Sequence, residues 1–259
     1  MSQKMKEVPF LERKLWFNLT HVGVNRKMKL GILRSFVTHP HHFKPFFIAA
    51  LKSSYFERVN QKKASLAVLE REDCVGPETT IKVSNCFSEF ANVNSDELLC
   101  IAGLVAKRNP RRLLEVGTLD GNTTLQMALN SQEDAEIHTL DLPPDAEGYL
   151  GYDSSKRRYE GTPSEKKVIQ HLGDSMKVDF AGFAGGKKFD FIFIDANHDY
   201  EFVKNDTLKA LEVLEEGGCI LWHDYAPLFS GVFSWLNELS EKLPIKRIEG
   251  TTLGYYEKG

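Results

Sequence analysis

The chain has 259 residues, 42% of them hydrophobic and 27% charged, and a net charge of −3. Those proportions suit a large α/β domain, alone or with a helical appendage, and exclude a disordered chain, a stapled mini-protein and a membrane-embedded one. The near-neutral total hides a segregation: residues 1–63 carry +10 and the remaining 196 carry −13, which points to two functional units.

Residues 1–75 read as a basic, mainly helical appendage, with Pro40 and Pro45 interrupting its helical pattern. Nothing apolar follows Lys4 and Lys6 in the manner of a signal peptide. The run Phe46 to Leu51 is far short of the ~20 apolar residues a membrane span needs. Cys74, Cys86, Cys100 and Cys219 lie far apart without C-x-x-C spacing, so a reducing cytoplasm is expected. Trp16, Phe17, Phe36, Phe43, Phe46 and Phe47 among the basic residues leave two readings open for the appendage. It packs on the acidic domain or across a homodimer, or it attaches peripherally to an anionic membrane. Nucleic acid is not expected, because no recognisable binding module appears. His21, His39, His41 and His42 have no paired carboxylates and read as surface or structural residues.

Residues 76–94, with Gly76-Pro77, read as a linker, and the domain proper begins at Ser95. Leu98, Ile101, Ala102, Val105 and Ala106 predict a helix with Ser95 as N-cap and Asn109-Pro110 as its stop. Strand 112–117, helix 122–130 and strand 137–141 follow. After a polar stretch come strand 168–172, helix 175–183, strand 189–195, helix 199–214, strand 219–223 and helix 229–243. A final antiparallel pair covers 245–248 and 252–256. Alternating apolar strands and helices predict a Rossmann-like α/β domain: a seven-stranded, mostly parallel sheet covered by helices on both faces, its last strand antiparallel.

In such sheets ligands bind at the carboxyl ends of the strands. The first of these strands ends Glu115-Val116-Gly117-Thr118-Leu119-Asp120-Gly121-Asn122-Thr123-Thr124, a G-x-x-x-G turn opening a helix N-terminus. It lacks the G-x-G-x-x-G spacing of dinucleotide enzymes. The second ends in Asp141-Leu142, where a carboxylate can accept both hydroxyls of a ribose. The third ends in Gly173-Asp174-Ser175, where an acid could meet an adenine amino group. Together these motifs resemble the class I S-adenosylmethionine-dependent methyltransferases. The resemblance covers roughly residues 95–259 and implies that Glu115, Gly117, Thr118, Gly121, Asn122 and Thr123 hold the methionine half. It also implies Asp141 and Leu142 at the ribose, Gly173, Asp174 and Ser175 at the adenine, and Asp195 touching the cofactor from the fourth strand.

The fourth strand continues Asp195-Ala196-Asn197-His198 and the fifth ends Trp222-His223-Asp224-Tyr225. Asp195 and Asp224 end neighbouring strands and can face one cleft. Two carboxylates with an imidazole or water suit an octahedral divalent cation, Mg²⁺ above all, and such an ion would lower the pKa of an acceptor hydroxyl. His198 is placed to take its proton. This part is similar to the metal-dependent sugar O-methyltransferases and the cephalosporin-hydroxylase-like proteins, in which an adjacent acid pair follows the fifth strand. His223 departs from that pair, so it is a nitrogen ligand, a supporting residue or no ligand at all. The expected metal set is Asp195, Asp224 and His223, and the expected catalytic pair is His198 and Asp195. His138 reads as a packed strand residue, and packing is also the expectation for His171. The long stretch 142–167, rich in Gly, Pro and Tyr and containing Lys156-Arg157-Arg158, reads as a substrate-contacting lid. The expected activity is methylation of a hydroxyl on a sugar or other small molecule. The rival expectation is a hydroxylase-like or catalytically silent cofactor-binding protein that works through its N-terminal segment.

Overall fold

The computed structural model describes residues 65–87, 92–146 and 157–259. The expectations for residues 1–64, including helices, membrane contact and pairing, lie outside the described residues, as does 147–156 of the proposed lid. The chain divides into a unit of residues 1–63 and a second unit of residues 64–259. In the second unit the elements are β1 (Ala67–Leu69), α1 (Arg71–Val75), α2 (Ser95–Arg108), β2 (Arg112–Val116), α3 (Asn122–Asn130), β3 (Glu136–Asp141) and β4 (Val168–Leu172). They continue with β5 (Phe189–Ile194), α4 (Tyr200–Val213), β6 (Leu214–Trp222), α5 (Ser230–Leu239), β7 (Lys246–Ile248) and β8 (Gly254–Glu257).

One sheet orders them β1-β7-β8-β6-β5-β2-β3-β4. Strands β6, β5, β2, β3 and β4 run parallel, and β8 is antiparallel to both β6 and β7. The alternating pattern of the sequence has its cause in the core. Phe191 and Phe193 of β5 pack with Leu113, Ile137 and Leu221 beneath Leu98, Ile101 and Val105 of α2 and Met127 of α3. Their neighbours Ile192 and Ile194 face the other way, with Leu114, Ile220 and Trp222, beneath Val203 and Ala210 of α4 and Trp235 and Leu236 of α5. Both faces of the central strands are therefore dry, which explains why β5 reads as an apolar run from Phe191 to Ile194.

Three departures from expectation have local causes. Residues 65–75, assigned from pattern to the appendage, supply β1 and α1, and β1 pairs parallel with β7 as an eighth, edge strand. The N-cap of α2 is Asn94 rather than Ser95, its side chain accepting from the Glu97 amide. The predicted helix 175–183 is replaced by a turn and a short 3-10 segment at Phe180–Gly182. There the Asp174 carboxylate takes the Met176 N–H and the Asp179 carboxylate takes the Ala181 N–H, two local bonds that compete with a continuous helix.

Register brings the site together. Val116 aligns with Leu140 of β3 and Ile194 of β5, and Ile194 aligns with Trp222 of β6. Gly117, Asp141, Asp195 and His223, each the residue at or just past these positions, thus stand at one level along the carboxyl edge of the sheet.

Candidate functional site

The glycine loop after β2 is built for close approach. Gly117 has φ +104, and a Cβ there would lie 2.1 Å from the Asp195 carbonyl oxygen. Only glycine lets the ends of β2 and β5 come this near. Beneath the loop a polar row runs in register across three strands, Glu115 beside Thr139 and Thr139 beside Gln170. Glu115 is fully buried. Its Oε2 accepts the hydroxyls of Thr124 and of Thr139, the latter at 2.6 Å, while Oε1 has no hydrogen-bond partner among the described residues. Burial pushes its carboxyl up to about 8 against the opposing effect of the two threonine hydroxyls. Thr118 joins the row, 2.6 Å from the Thr139 hydroxyl and accepting from Gln170 at 3.1 Å. Asn122, in the first turn of α3, is 2% exposed and its Nδ2 likewise lacks a partner among the described residues; Thr123 beside it is also buried. A buried acceptor and a buried donor thus flank a glycine loop at a helix N-terminus, where the ammonium and carboxylate of an amino acid would satisfy both.

At the end of β3, Asp141 accepts the backbone N–H groups of Leu119 at 3.1 Å and Leu142 at 2.9 Å, and pairs with Arg157 at 3.1 Å. Burial raises its pKa, and Arg157 with the two amides opposes that rise. Arg157 begins a strap that the sequence pattern placed only within a lid. Arg158 pairs with Asp120 at 2.5 Å and donates to Asn92 and to the carbonyls of Asn85 and Phe87. Tyr159 packs on Gly121 and donates to Gln170 at 2.7 Å. At the end of β4, Gly173 donates to the Asp141 carbonyl, and Asp174 accepts the Met176 amide and pairs with Lys177 at 3.1 Å. The Met176 amide holds the Asp174 carboxyl below its ordinary range. Ser175 offers its carbonyl to Asn205 and Lys209 of α4. His138 and His171 pack as expected, their rings stacked and Nδ1 of His138 2.9 Å from Nε2 of His171.

Past β5 and β6, Asp195, His198 and Asp224 each place one ligand atom within 4.8 Å of the others. Two backbone features bring them there. Asp224 adopts a left-handed φ of +58, which turns the chain sharply after β6. Gly231 of α5 admits the loop carrying His198, since a Cβ there would stand 2.2 Å from the His198 carbonyl oxygen. Nε2 of His198 is buried, 3.1 Å from Asp224 Oδ2 and 3.9 Å from Asp195 Oδ1, at ion-pair distance but without hydrogen-bond alignment. Its ring lies against Phe229.

His223 does not belong to this convergent set. Its Nδ1 lies 3.0 Å from Asp195 Oδ1 and 3.5 Å from Asp224 Oδ2, and its Nε2 lies 3.1 Å from Glu97 Oε2. Both ring nitrogens are spent on carboxylates. Burial disfavours the imidazolium, yet Asp195 and Asp224, with Glu97 behind, hold its pKa well above the ordinary value. Burial would likewise raise Glu97, but His223 and Thr252 outweigh it and hold that carboxyl low. Three carboxylates, Glu97, Asp195 and Asp224, gather around one imidazole in a partly buried cluster, an acid-rich set of the kind a divalent cation takes. Glu97, Thr252, Thr139 and Gln170 were not legible as site residues, and Arg157, placed in the lid, was not foreseen as the partner of Asp141. Glu97 carried one signal, its place three residues after Asn94, and that signal indicates ordinary helix capping.

Residues 114–225 match the family model for a methyltransferase domain. Among solved structures, the O-methyltransferase TomG from Streptomyces achromogenes, involved in tomaymycin synthesis and in complex with SAM, is 18% identical. The match covers 65% of this chain and 82% of that one, with a TM-score of 0.55. The SAH-bound Podospora anserina methyltransferase PaMTH1 is also 18% identical over 65% of this chain and 80% of that one, with a TM-score of 0.51. These likenesses establish the fold. No helix among the described residues is long and apolar enough to cross a membrane.

Proposed function

We propose that this chain, which carries a methyltransferase domain over residues 114–225, is a S-adenosylmethionine-dependent O-methyltransferase assisted by a divalent cation. The observation that carries this reading is the convergence of Asp195, His198 and Asp224 at the sheet edge that also holds the glycine loop and Asp141. Similar structures contain SAM or SAH, which supports the same cofactor here. The unpartnered Glu115 Oε1 and Asn122 Nδ2 suit the ammonium and carboxylate of its methionine half. Asp141 suits the ribose hydroxyls, and Asp174 beside Leu172 suits the adenine.

Bound there, the cofactor supplies a sulfonium methyl group that is already activated. No covalent enzyme intermediate is needed, so the chain's task is to align the acceptor oxygen, remove its proton and exclude water. Asp195 and Asp224 would hold Mg²⁺ or a similar ion, whose charge lowers the pKa of an acceptor hydroxyl. His198 receives the proton at Nε2, and Phe229 fixes the imidazole ring from one side. The acceptor is a sugar or another small hydroxyl compound.

A second reading shares the same geometry: His198 serves as the third ligand rather than as the base. Release of the demethylated cofactor, screened over sugars and phenols, finds the acceptor. Chelation is expected to abolish turnover and Mg²⁺ or Mn²⁺ to restore it; turnover unchanged in chelator contradicts the role of the ion. His198→Ala separates the readings. As base it loses about 10²–10⁴-fold in turnover at unaltered Mn²⁺ affinity, whereas as ligand it loses both together.

A further inference from the structure

Glu97 stands outside the strand-end motifs, in the first turn of α2. An acid there ordinarily faces water and the helix's own N-terminal amides. Glu97 is instead 2% exposed, and its contacts lead across the molecule. Its Oε1 accepts the Thr252 backbone N–H at 2.6 Å and the Thr252 hydroxyl at 2.8 Å. Its Oε2 accepts the Asn94 side-chain amide and lies 3.1 Å from His223 Nε2. On the far side of the ring, His223 Nδ1 lies 3.0 Å from Asp195 Oδ1. With a carboxylate on each side, the ring is held in one orientation between Glu97 and Asp195.

We infer that Glu97 is a positioning residue. Acting through His223, it fixes the Asp195 carboxylate at the end of β5, where the strand abuts the glycine loop, and Thr252, in the turn between β7 and β8, is the anchor that fixes Glu97. The chain of contacts runs Thr252, Glu97, His223, Asp195, and joins the N-terminus of α2, the β7–β8 turn and the ends of β5 and β6. Helix capping alone would require neither the pair of Thr252 donors from 155 positions away nor the imidazole. Each is a cost in buried polar groups that a fully connected network offsets. The inference rests on the proposed cofactor reading, extended to Asp195 because its backbone abuts Gly117 of the glycine loop.

The test uses the full chain, S-adenosylhomocysteine as the calorimetric probe, and ¹⁵N-histidine NMR as the signature of the ring. Glu97→Gln is expected to remove the hydrogen-bonded Nε2–H signal of His223 and to weaken S-adenosylhomocysteine binding about tenfold, as loss of an outer partner commonly does. Thr252→Val, which keeps the shape and loses the hydroxyl, is expected to weaken it several-fold. Thr252→Ser, which keeps the hydroxyl, is expected to restore it to within about twofold. This serine and valine pair decides the matter even where Glu97→Gln does not fold. Binding within about twofold of wild type in both Glu97→Gln and Thr252→Val overturns the positioning role. So does equal weakening by Thr252→Ser and Thr252→Val. A wild-type chain that binds no S-adenosylhomocysteine overturns the cofactor reading itself and this inference with it, a result read from a different arm.

Discussion

Glu115 concentrates the physics of the glycine loop in one side chain. It is fully buried, satisfied at one oxygen and unsatisfied at the other, with its carboxyl pushed up to about 8. Below pH about 4.5 the carboxyl is protonated in folded and unfolded chains alike, so it contributes no pH-dependent difference. Between about 4.5 and 8 the unfolded chain releases the proton that the fold retains, so stability falls as pH rises through that window. The penalty persists above it. Glu115→Gln keeps the shape and removes the titration, so its stability relative to wild type should grow across that window. The gain is expected to be on the order of 4 kcal/mol at most. Denaturant melts at pH 4.5, 6 and 8 check this, and a pH-independent difference would contradict it. The same substitution should weaken S-adenosylhomocysteine binding, since the unsatisfied Oε1 is the atom proposed for the methionine ammonium.

At the scale of elements, β3 and β4 meet through a histidine pair rather than through apolar side chains alone. His138 stacks on His171, and His171 stacks on Phe183 with ring centroids 4.0 Å apart. Burial, helped by His171, lowers the His138 pKa to about 4. The sign is opposite to that of Glu115. Above pH about 6.5 both states are neutral and the packing is intact. As pH falls from about 6.5 towards 4 the unfolded chain gains a proton the fold refuses, and stability declines by up to about 3 kcal/mol. His138→Leu should flatten that decline in thermal melts between pH 7 and 4.5; an unaltered slope would show that other groups carry it. Elements of this kind were legible where pattern and packing agree. Helix 122–130 and strands β2, β3 and β5 followed from apolar periodicity because each faces a dry layer. The 175–183 segment was not legible because two aspartates bond their own backbone there. Residues 67–69 were missed because three residues carry too little periodicity to mark an edge strand. Asp141, Asp195 and Asp224 were legible because they stand at the ends of predicted strands, and His198 because it follows Asp195 by three residues. Glu97 and Thr252 were not, since each joins the cluster only through tertiary contact.

For the molecule as a whole, the charge segregation acquires partial structural content. The acids Glu115, Asp141, Asp174, Asp195 and Asp224 lie along one sheet edge in the second unit, with partners proposed in the cofactor, the acceptor or a cation. The fold builds that edge by register alone, since strands widely separated in sequence terminate at one level. Loss of the cation should impair transfer without removing the cofactor site, because the glycine loop, Glu115 and Asp141 are held by hydrogen bonds of their own and not by the ion. The most direct test of this account is calorimetric titration of S-adenosylhomocysteine into the full chain in the presence of a chelator. The account predicts saturable binding at one site per chain, weakened in Asp141→Ala by loss of the ribose acceptor. The absence of heat from wild-type protein, or binding indifferent to Asp141→Ala, would contradict it.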